Sequence, residues 1–282
     1  MADFVVQQDG SAVTAEELAP LAFAGYAHFT AMQVRDHRVR GLDLHLRRLT
    51  TASEKLFGRA IPEERMRSYL HTAVQAGPPD ISLAAFVHST SGEFSAAEGD
   101  PRMLIRTSAP SSGPSGPLAL TTIEHERFLP TVKHVGEIAK TYTLRQAVAA
   151  GFDDVAFIDR RGRISEGTIW NLAFWDGDAV VWPEAEILTG TTSGILERQL
   201  TRLGITQRVE PITLADIPSL SGAVVMNSWT PAVAVHRIDD ALVPPAPEFV
   251  DLLHRASRSE PLTAFDGRAG AHSFSMAGKR SG

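Results

Sequence analysis

The sequence contains no cysteine, which excludes disulfides, thiolate metal ligands and cysteine nucleophiles. No apolar run approaches the roughly 20 residues that a membrane-spanning helix needs. The first residues, MADFVVQQDG, lack a basic region followed by an apolar core, so we expect no signal peptide. These absences fit a reducing compartment, and we expect a cytoplasmic protein.

Positive charge is not in excess either. The net charge is -6 over 282 residues, which gives no reason to expect nucleic acid or an anionic membrane as a partner. The hydrophobic share of 43% and the charged share of 21% are ordinary for a globular protein. Histidines 28, 37, 45 and 134 come without HExxH or comparable spacing, so we expect packed or solvated histidines and no metal site. We therefore expect a small soluble substrate.

The order of predicted elements favours an α+β fold, because strands arrive in groups rather than alternating regularly with helices. Helices are predicted from Gly41 to Gly58 and over about 63–76, 137–150 and 193–203. The run SAPSSGPSGP at 108–117 predicts a linker. We therefore predict a smaller N-terminal α/β domain at 1–107, the linker, a larger β-rich C-terminal domain at 118–266 and a disordered tail at 267–282.

Lysine is scarce, and its placement is informative. The chain has only four lysines, Lys55, Lys133, Lys140 and Lys279, among 27 Lys and Arg residues. Two of them stand close together after the linker. A lysine can become neutral and form an imine, whereas the guanidinium of arginine stays protonated and is a poor nucleophile. The alternative is that both are ordinary solvated cations.

Two other features follow these lysines along the chain. Leu188 to Ser193 reads LTGTTS directly before a predicted helix, whose free N–H groups and dipole would attract an anion. Ordinary helix capping by threonine and serine is the alternative. Glu166 lies among strand residues in RISEGTIWNLAF, where it could partner a ring nitrogen, or it could be an exposed turn residue. An amine, an acid and an anion cradle are what a pyridoxal phosphate site requires.

Five blocks in order carry a family resemblance: HLRRL, PTVKH, GFDDVAFIDRRGRISEGTIWNLAF, LTGTT and VVMNSWTPAVAV. Together they resemble the class IV aminotransferases, a family of fold type IV pyridoxal phosphate enzymes. The family includes branched-chain and D-amino acid aminotransferases and aminodeoxychorismate lyase. The resemblance runs from about Phe29 to Val235, and it is most specific from Ile164 to Phe174. It implies a two-domain fold like that of D-amino acid aminotransferase.

The resemblance also implies roles for single residues. Lys133 matches the imine lysine, and Glu166 matches the acid at the pyridine nitrogen. The remaining cofactor contacts that the resemblance implies are Arg48 and the turn Gly190, Thr191 and Thr192 for the phosphate, Leu188 against the cofactor ring, Asn171 in support of this loop, and Ser228 in the NSW segment as a further phosphate or substrate contact.

Lys133 and Lys140 compete for the imine role. Lys133 follows Pro130 and Thr131 in an extended stretch, whereas Lys140 falls inside a predicted helix. We assign Lys133 and expect Lys140 to be a cation on the helix surface.

The resemblance leaves three functions open. The first is transfer of an amino group between an amino donor and a keto acid, and the second is aminodeoxychorismate lysis with release of pyruvate. The third is an idle protein that only binds the cofactor or a metabolite. The first hairpin, Gly25 to Thr30, lacks the second glycine common in the family, and no clear Arg and His pair for a substrate carboxylate is present; Arg106 reads as a surface residue. Relatives are homodimers, and the resemblance implies the same here.

Overall fold

A computed structural model of the chain describes residues 4–23, 25–91, 96 and 99–266. The predicted tail at 267–282 lies outside these described residues. None of the helices in this part of the chain is long and apolar enough to span a membrane.

The described residues form a mixed structure of helices and strands. The α-helices are α1 Ala15–Phe23, α2 Leu42–Phe57, α3 Glu63–Gln75, α4 Ile138–Ala149, α5 Thr191–Arg202 and α6 Pro247–Ser259, with a short 3₁₀ helix at Leu214–Ser219. The strands are β1 Val6–Gln8, β2 Ser11–Ala12, β3 Ala27–Val34, β4 Val39–Arg40, β5 Ile81–Ser89, β6 Pro101–Ser108, β7 Leu118–Glu124, β8 Asp154–Ile158, β9 Ile164–Gly167, β10 Asn171–Trp175, β11 Val180–Pro183, β12 Gln207–Glu210, β13 Gly222–Asn227, β14 Thr230–Ile238, β15 Ala241–Leu242 and β16 Leu262–Thr263.

The first sheet has five strands in the order β2-β1-β6-β5-β3, with antiparallel pairing throughout. Alternate residues of β3, such as Met32 and Val34, are buried in a core shared with α2 and α3. The intervening residues, such as Phe29, Ala31 and Gln33, are half-buried on the opposite face. β3 is an edge strand of this sheet, so its outer side is open to the rest of the molecule.

Helix α2 forms where the apolar residues recur at helical spacing. Its buried side includes Leu42, Leu46 and Leu49, which pack in the first core. Gly58 ends the helix at φ +70°, a left-handed conformation that glycine adopts without a steric penalty, and its N–H donates to Glu54 O at 3.0 Å. The predicted bounds of this helix are confirmed.

The second sheet has nine strands, most of them in the order β12-β11-β10-β13-β14-β7-β8-β9, with β15 paired to β14. β9 also pairs with β10 through Asn171 and Glu166, so the strands from β10 to β9 form a closed circuit. Parallel pairs, such as β7 with β8, stand beside antiparallel ones. The predicted α+β class is confirmed.

The predicted linker joins the two sheets, since β6 ends at Ser108 and β7 begins at Leu118. The end of the described chain packs back against the N-terminal part. β16 pairs with β4, and Phe265 is buried in the core between the first sheet, α2 and α3. The domain bounds therefore stay a prediction. Helix α5 begins at Thr191 rather than near Ser193, which places both threonines of the predicted anion cradle inside its first turn.

Candidate functional site

One cavity collects all the residues predicted for the site. Its lining comprises Arg48, Lys133, Glu166, Asn171, Leu188, Gly190, Thr191, Thr192 and Ser228, together with Lys140, Ile169, Trp170 and Asn227. Arg48 comes from α2 beside the first sheet, and the others come from the part of the chain that follows the predicted linker. The cavity therefore lies where these two parts of the molecule meet.

Lys133 is fixed by backbone pairing to the open edge of β3. Phe29 N–H donates to Lys133 O at 2.8 Å, and Val135 N–H donates to Ala27 O at 3.0 Å. The side-chain Nζ lies 4.8 Å from the centroid of the Phe29 ring, and no residue in the described part of the chain forms a hydrogen bond or ion pair with it. Burial, followed by the charge of Arg48, lowers the pKa of Lys133 to about 7.

Glu166 lies on β9 and is only 4% exposed, so the alternative of an exposed turn glutamate is wrong. Its Oε1 is 3.2 Å from Lys140 Nζ and 3.4 Å from Arg127 Nε. A buried carboxylate needs such partners, because an unpaired buried charge is strongly destabilising. Arg127, whose side chain is 3% exposed, was not identified in the sequence analysis, because no local pattern marks it.

Lys140 was expected on the helix surface, and that expectation is wrong. Its side chain is 13% exposed, because the first turn of α4 starts beside the cavity and directs this residue towards Glu166. Burial lowers the pKa of Lys140, while the neighbouring Glu166 carboxylate acts in the opposite direction. The two lysines thus differ: Lys140 is ion-paired, whereas the amine of Lys133 has no such partner in the part of the chain that the structure describes.

The N-terminus of α5 faces the cavity without a capping side chain. Gly190 is the N-cap residue, and within the described residues the helix start has no side-chain cap hydrogen bond. The alternative of ordinary capping by threonine and serine is therefore wrong. Thr192 Oγ1 donates to Asn227 O at 2.8 Å, and Arg48 Nη2 donates to Thr189 O at 2.8 Å. Helix N–H groups, hydroxyls and a guanidinium converge here, as they do where proteins bind phosphate.

Asn171 supports the turn that leads into α5. Its Nδ2 donates to Leu188 O at 2.8 Å. A methyl group at Gly190 would lie 2.1 Å from Asn171 Oδ1, so glycine is needed for this close approach. The short amide cannot move aside without losing its bond to Leu188.

Asp154 shapes one wall of the cavity, and the sequence analysis missed it. Its buried carboxylate accepts from Thr168 Oγ1 at 2.8 Å and from Trp170 Nε1 at 3.0 Å. These bonds fix the turn between β9 and β10, which carries Ile169 and Trp170 into the cavity lining. The acidic pair that opens DDVAF was a possible signal, since an acid at the start of a buried strand needs donors nearby.

The fold and the cavity define a class of protein. A free lysine amine with a pKa of about 7, a buried carboxylate and an uncapped helix N-terminus with an arginine fit the aldehyde, ring nitrogen and phosphate of pyridoxal phosphate. These are the groups that a protein of the pyridoxal phosphate class requires.

The particular family follows from comparison with known proteins. The model of the family Amino-transferase class IV matches residues 27–238, and the chain belongs to this family. The predicted family and the predicted cofactor, pyridoxal 5′-phosphate, are both confirmed. No curated protein matches the chain.

Solved structures of the same fold include enzymes of two kinds. A branched-chain aminotransferase from Thermoproteus uzoniensis with norvaline is 18% identical, with a TM-score of 0.80 and coverage of 92% of this chain and 94% of that one. A putative 4-amino-4-deoxychorismate lyase from Legionella pneumophila is 20% identical, with a TM-score of 0.76 and coverage of 85% and 93%. A hypothetical aminotransferase from Mycobacterium tuberculosis in its PLP-bound form is 21% identical, with a TM-score of 0.73 and coverage of 90% and 98%. These likenesses show that the chain has fold type IV.

Proposed function

We propose that this protein is an aminotransferase that moves an amino group between an amino donor and a keto acid, with Lys133 as its catalytic residue. The observation that carries the proposal is the state of Lys133: its amine has no hydrogen-bond or ion-pair partner among the described residues, and its pKa is lowered to about 7. A lysine with this pKa is substantially neutral near physiological pH, which a nucleophile and proton carrier requires.

Pyridoxal phosphate, when bound, supplies an aldehyde that reacts with amines and a ring that withdraws electrons from the bond being broken. Lys133 Nζ would hold the cofactor through its aldehyde, and as a neutral amine the same Nζ could take and return a proton at the substrate α-carbon. Its place beside the Phe29 ring, at 4.8 Å, keeps one side of the amine in apolar surroundings.

Glu166 is proposed to hold a proton at the pyridine nitrogen. Its carboxylate is kept in place by Lys140 and Arg127, at 3.2 Å and 3.4 Å. Arg127 is positioned in turn by the backbone, since its Nη2 donates to Val132 O at 2.8 Å. Lys140 and Arg127 are thus positioning residues for Glu166.

The phosphate is proposed to bind at the N-terminus of α5. Arg48 supplies the positive charge, and burial together with the nearby Arg127 lowers the pKa of Arg48 to about 10, so it remains protonated at neutral pH. Thr191, Thr192 and Ser228 supply hydroxyl groups, while Gly190 allows close approach of the backbone. Leu188 is proposed to pack against the cofactor ring, and Asn171 to support the turn.

Assembly as a homodimer and a cytoplasmic location are also part of the proposal. Both are carried over from the sequence and the family resemblance. Size-exclusion chromatography with light scattering tests the first, and a mass near that of one 30.5 kDa chain would contradict it.

The proposed activity is tested with the cofactor-loaded protein. We expect a panel of amino acids with pyruvate or 2-oxoglutarate to give the corresponding amino-acid products, and the Lys133→Ala variant to give none. Aminodeoxychorismate is assayed in parallel for release of pyruvate. Pyruvate release in that assay, with no amino transfer from any donor, would identify a lyase and overturn the proposal. No turnover in either assay, with cofactor bound, would indicate an idle binding protein.

A further inference from the structure

Four charged side chains form a closed ring at the wall of the cofactor cavity. This charge ring consists of Glu166, Arg127, Glu137 and Lys140. Arg127 Nε lies 3.4 Å from Glu166 Oε1 and 2.7 Å from Glu137 Oε1. Lys140 Nζ lies 3.2 Å from Glu166 Oε1 and 3.9 Å from Glu137 Oε2. Each cation therefore contacts both carboxylates, and with all four groups ionised the net charge of the charge ring is zero.

Glu166 meets both cations through one of its two oxygens. Arg127 and Lys140 each approach Oε1, and neither of these contacts uses Oε2. In the part of the chain that the structure describes, Glu166 and Lys140 line the cofactor cavity, whereas Arg127 and Glu137 do not. Oε2 is therefore the oxygen that remains for a group in the cavity, and Glu137 acts on that group through the other members of the charge ring.

Glu137 occupies the N-cap position of α4 but does not cap the helix. An N-cap side chain normally accepts a hydrogen bond from the first turn, and among the described residues Glu137 makes no such bond. Its carboxylate instead accepts from Arg127, and its side chain is only 17% exposed. Capping of α4 thus does not account for the orientation of this side chain, whereas pairing with the two cations does.

The charge ring lies where solvent screens charges poorly. The side chain of Arg127 is 3% exposed and that of Lys140 is 13% exposed, and Glu166 is buried. Charges in such surroundings act strongly on a neighbouring titratable group. Without the carboxylate of Glu137 the charge ring would carry one net positive charge. A positive charge disfavours a proton on a nearby pyridine nitrogen, because that proton makes the nitrogen positive as well.

We propose that Glu137 is a positioning residue: by balancing Arg127 and Lys140 it keeps the charge ring neutral, so that Glu166 can hold a proton on the pyridine nitrogen. This inference rests on the proposed role of Glu166 and adds to it a residue outside the cavity. Its consequence has a sign that follows the net charge. Loss of the Glu137 carboxylate makes the charge ring positive, and loss of the Lys140 ammonium makes it negative. The two losses therefore have opposite effects on the proton at the pyridine nitrogen.

Two histidines border the charge ring and can also titrate. His134 Nε2 lies 3.4 Å from Glu137 Oε1 and donates to Phe128 O at 2.9 Å. His125 packs against Phe157, with ring centroids 4.7 Å apart, and burial lowers its pKa. Both histidines are kept in every variant compared below. A difference in titration between these variants is therefore assigned to the charge ring.

The test uses pyridoxine 5′-phosphate as an unreactive probe, since it has an alcohol in place of the aldehyde and binds without attaching to Lys133. Its near-ultraviolet absorbance changes when its pyridine nitrogen gains or loses a proton, so a pH titration of the bound probe gives a midpoint. We expect Glu137→Gln to lower this midpoint by about one unit and Lys140→Met to raise it by about one unit. The double variant with both changes should titrate like the wild type, a pattern that simple structural damage does not produce.

Glu126→Gln is the matched control. Glu126 is the neighbour of Arg127 in the chain, but its exposed carboxylate lies 3.5 Å from Arg160, so its loss should leave the midpoint unchanged. Unchanged midpoints in Glu137→Gln and Lys140→Met, or shifts of both in the same direction, would overturn the inference. If Glu137→Gln alone does not fold, the comparison of Lys140→Met with the double variant decides, and equal midpoints in these two would overturn the inference.

Glu166→Gln separates failure of this inference from failure of the proposed function. A lower midpoint in Glu166→Gln, together with unchanged midpoints in Glu137→Gln and Lys140→Met, would remove the role of Glu137 and leave that of Glu166 intact. An unchanged midpoint in Glu166→Gln would overturn the proposed role of Glu166, and this inference with it.

Discussion

The two sheets bury polar groups in different ways. Beside the first sheet the buried groups are neutral and paired with hydroxyls: His28 Nε2 lies 2.8 Å from Ser53 Oγ, and His45 Nδ1 lies 2.7 Å from Thr30 Oγ1. Burial lowers the pKa of His28 to about 4 and that of His45 to about 3. The second sheet instead buries charged groups, with Glu166 held between Lys140 and Arg127.

The neutral buried groups and the charged buried groups have different roles. Neutral hydrogen-bonded pairs beside the first sheet fix the packing of α2 on β3 and hold no mobile charge. Charged groups in a poorly solvated place act strongly on whatever lies next to them. The second sheet therefore carries the buried carboxylate Glu166, while the edge of the first sheet pairs with the segment of Lys133, and the Phe29 ring and the cation Arg48 of α2 add to the walls.

The largest expected effect comes from Lys133, whose amine has no hydrogen-bond or ion-pair partner among the described residues. Lys133→Ala should lower amino transfer by about 10⁴-fold, because it removes both the cofactor attachment and the proton carrier. Stopped-flow absorbance of the cofactor during reaction with an amino donor gives the measurement. Lys55→Ala, which removes an exposed lysine bonded to Thr131, should react like the wild type. A Lys133→Ala variant within tenfold of the wild-type rate would contradict the assignment.

Removing the buried negative charge should have the next largest effect. Glu166→Gln keeps the shape but loses the charge opposite Lys140 and Arg127, and we expect a loss of about 10³-fold in amino transfer. The visible absorbance should show that cofactor is still bound. Glu184→Gln, at a side chain that is 58% exposed, is the control. An unchanged rate in Glu166→Gln would remove this residue from the site.

Arg48, on α2 beside the first sheet, should have a smaller effect, and the effect should be on cofactor affinity. Arg48→Gln should weaken cofactor affinity by about a hundredfold, since it removes a charged hydrogen-bonding group at the phosphate. Arg47→Gln, at the exposed neighbouring position of α2, should leave that affinity unchanged. Titration of the apoprotein with pyridoxal phosphate measures both, and equal affinities would contradict the role of Arg48.

The smallest expected effect is on stability, and it concerns the two buried histidines that are paired with hydroxyl groups. His28 and His45 have folded-state pKa values of about 4 and about 3, below the value of about 6.5 in the unfolded chain, so the unfolded state binds more protons in acid. Stability that is present above pH 6.5 should therefore be lost as pH falls towards 4, by about 2 kcal/mol per histidine between pH 7 and 5. Urea unfolding of wild type and of His45→Gln measures this, with His71→Gln as the control. An equal pH slope in wild type and His45→Gln would contradict it.

Local signals in the sequence were enough for several elements and for the identity of the site residues. The leucine spacing and Gly58 defined α2, and Lys133, Glu166 and the turn at Gly190 were found from residue chemistry together with the family resemblance. The cavity that contains all of them agrees with that choice. The roles themselves remain predictions, because the geometry brings the residues together without testing what each does.

What the sequence could not supply depends on distant contacts. The bond between Lys140 and Glu166 joins residues 26 apart, so helical spacing within α4 alone suggested a solvated lysine. Helix α6 went unpredicted, although Pro247 at its start and the buried Phe249, Leu253 and Ala256 carried a helical pattern. The return of Phe265 to the first core has no local signal, since it depends on packing across the whole chain.

The central claim is that the free amine of Lys133, and not the paired amine of Lys140, carries the cofactor. Borohydride reduction of the cofactor-loaded protein, followed by peptide mapping, tests this claim most directly. We predict that the reduced cofactor is found on Lys133, in the peptide that pairs with the edge of β3. A label on Lys140 would contradict the assignment of the residue, and a protein that takes up no cofactor at all would contradict the account as a whole.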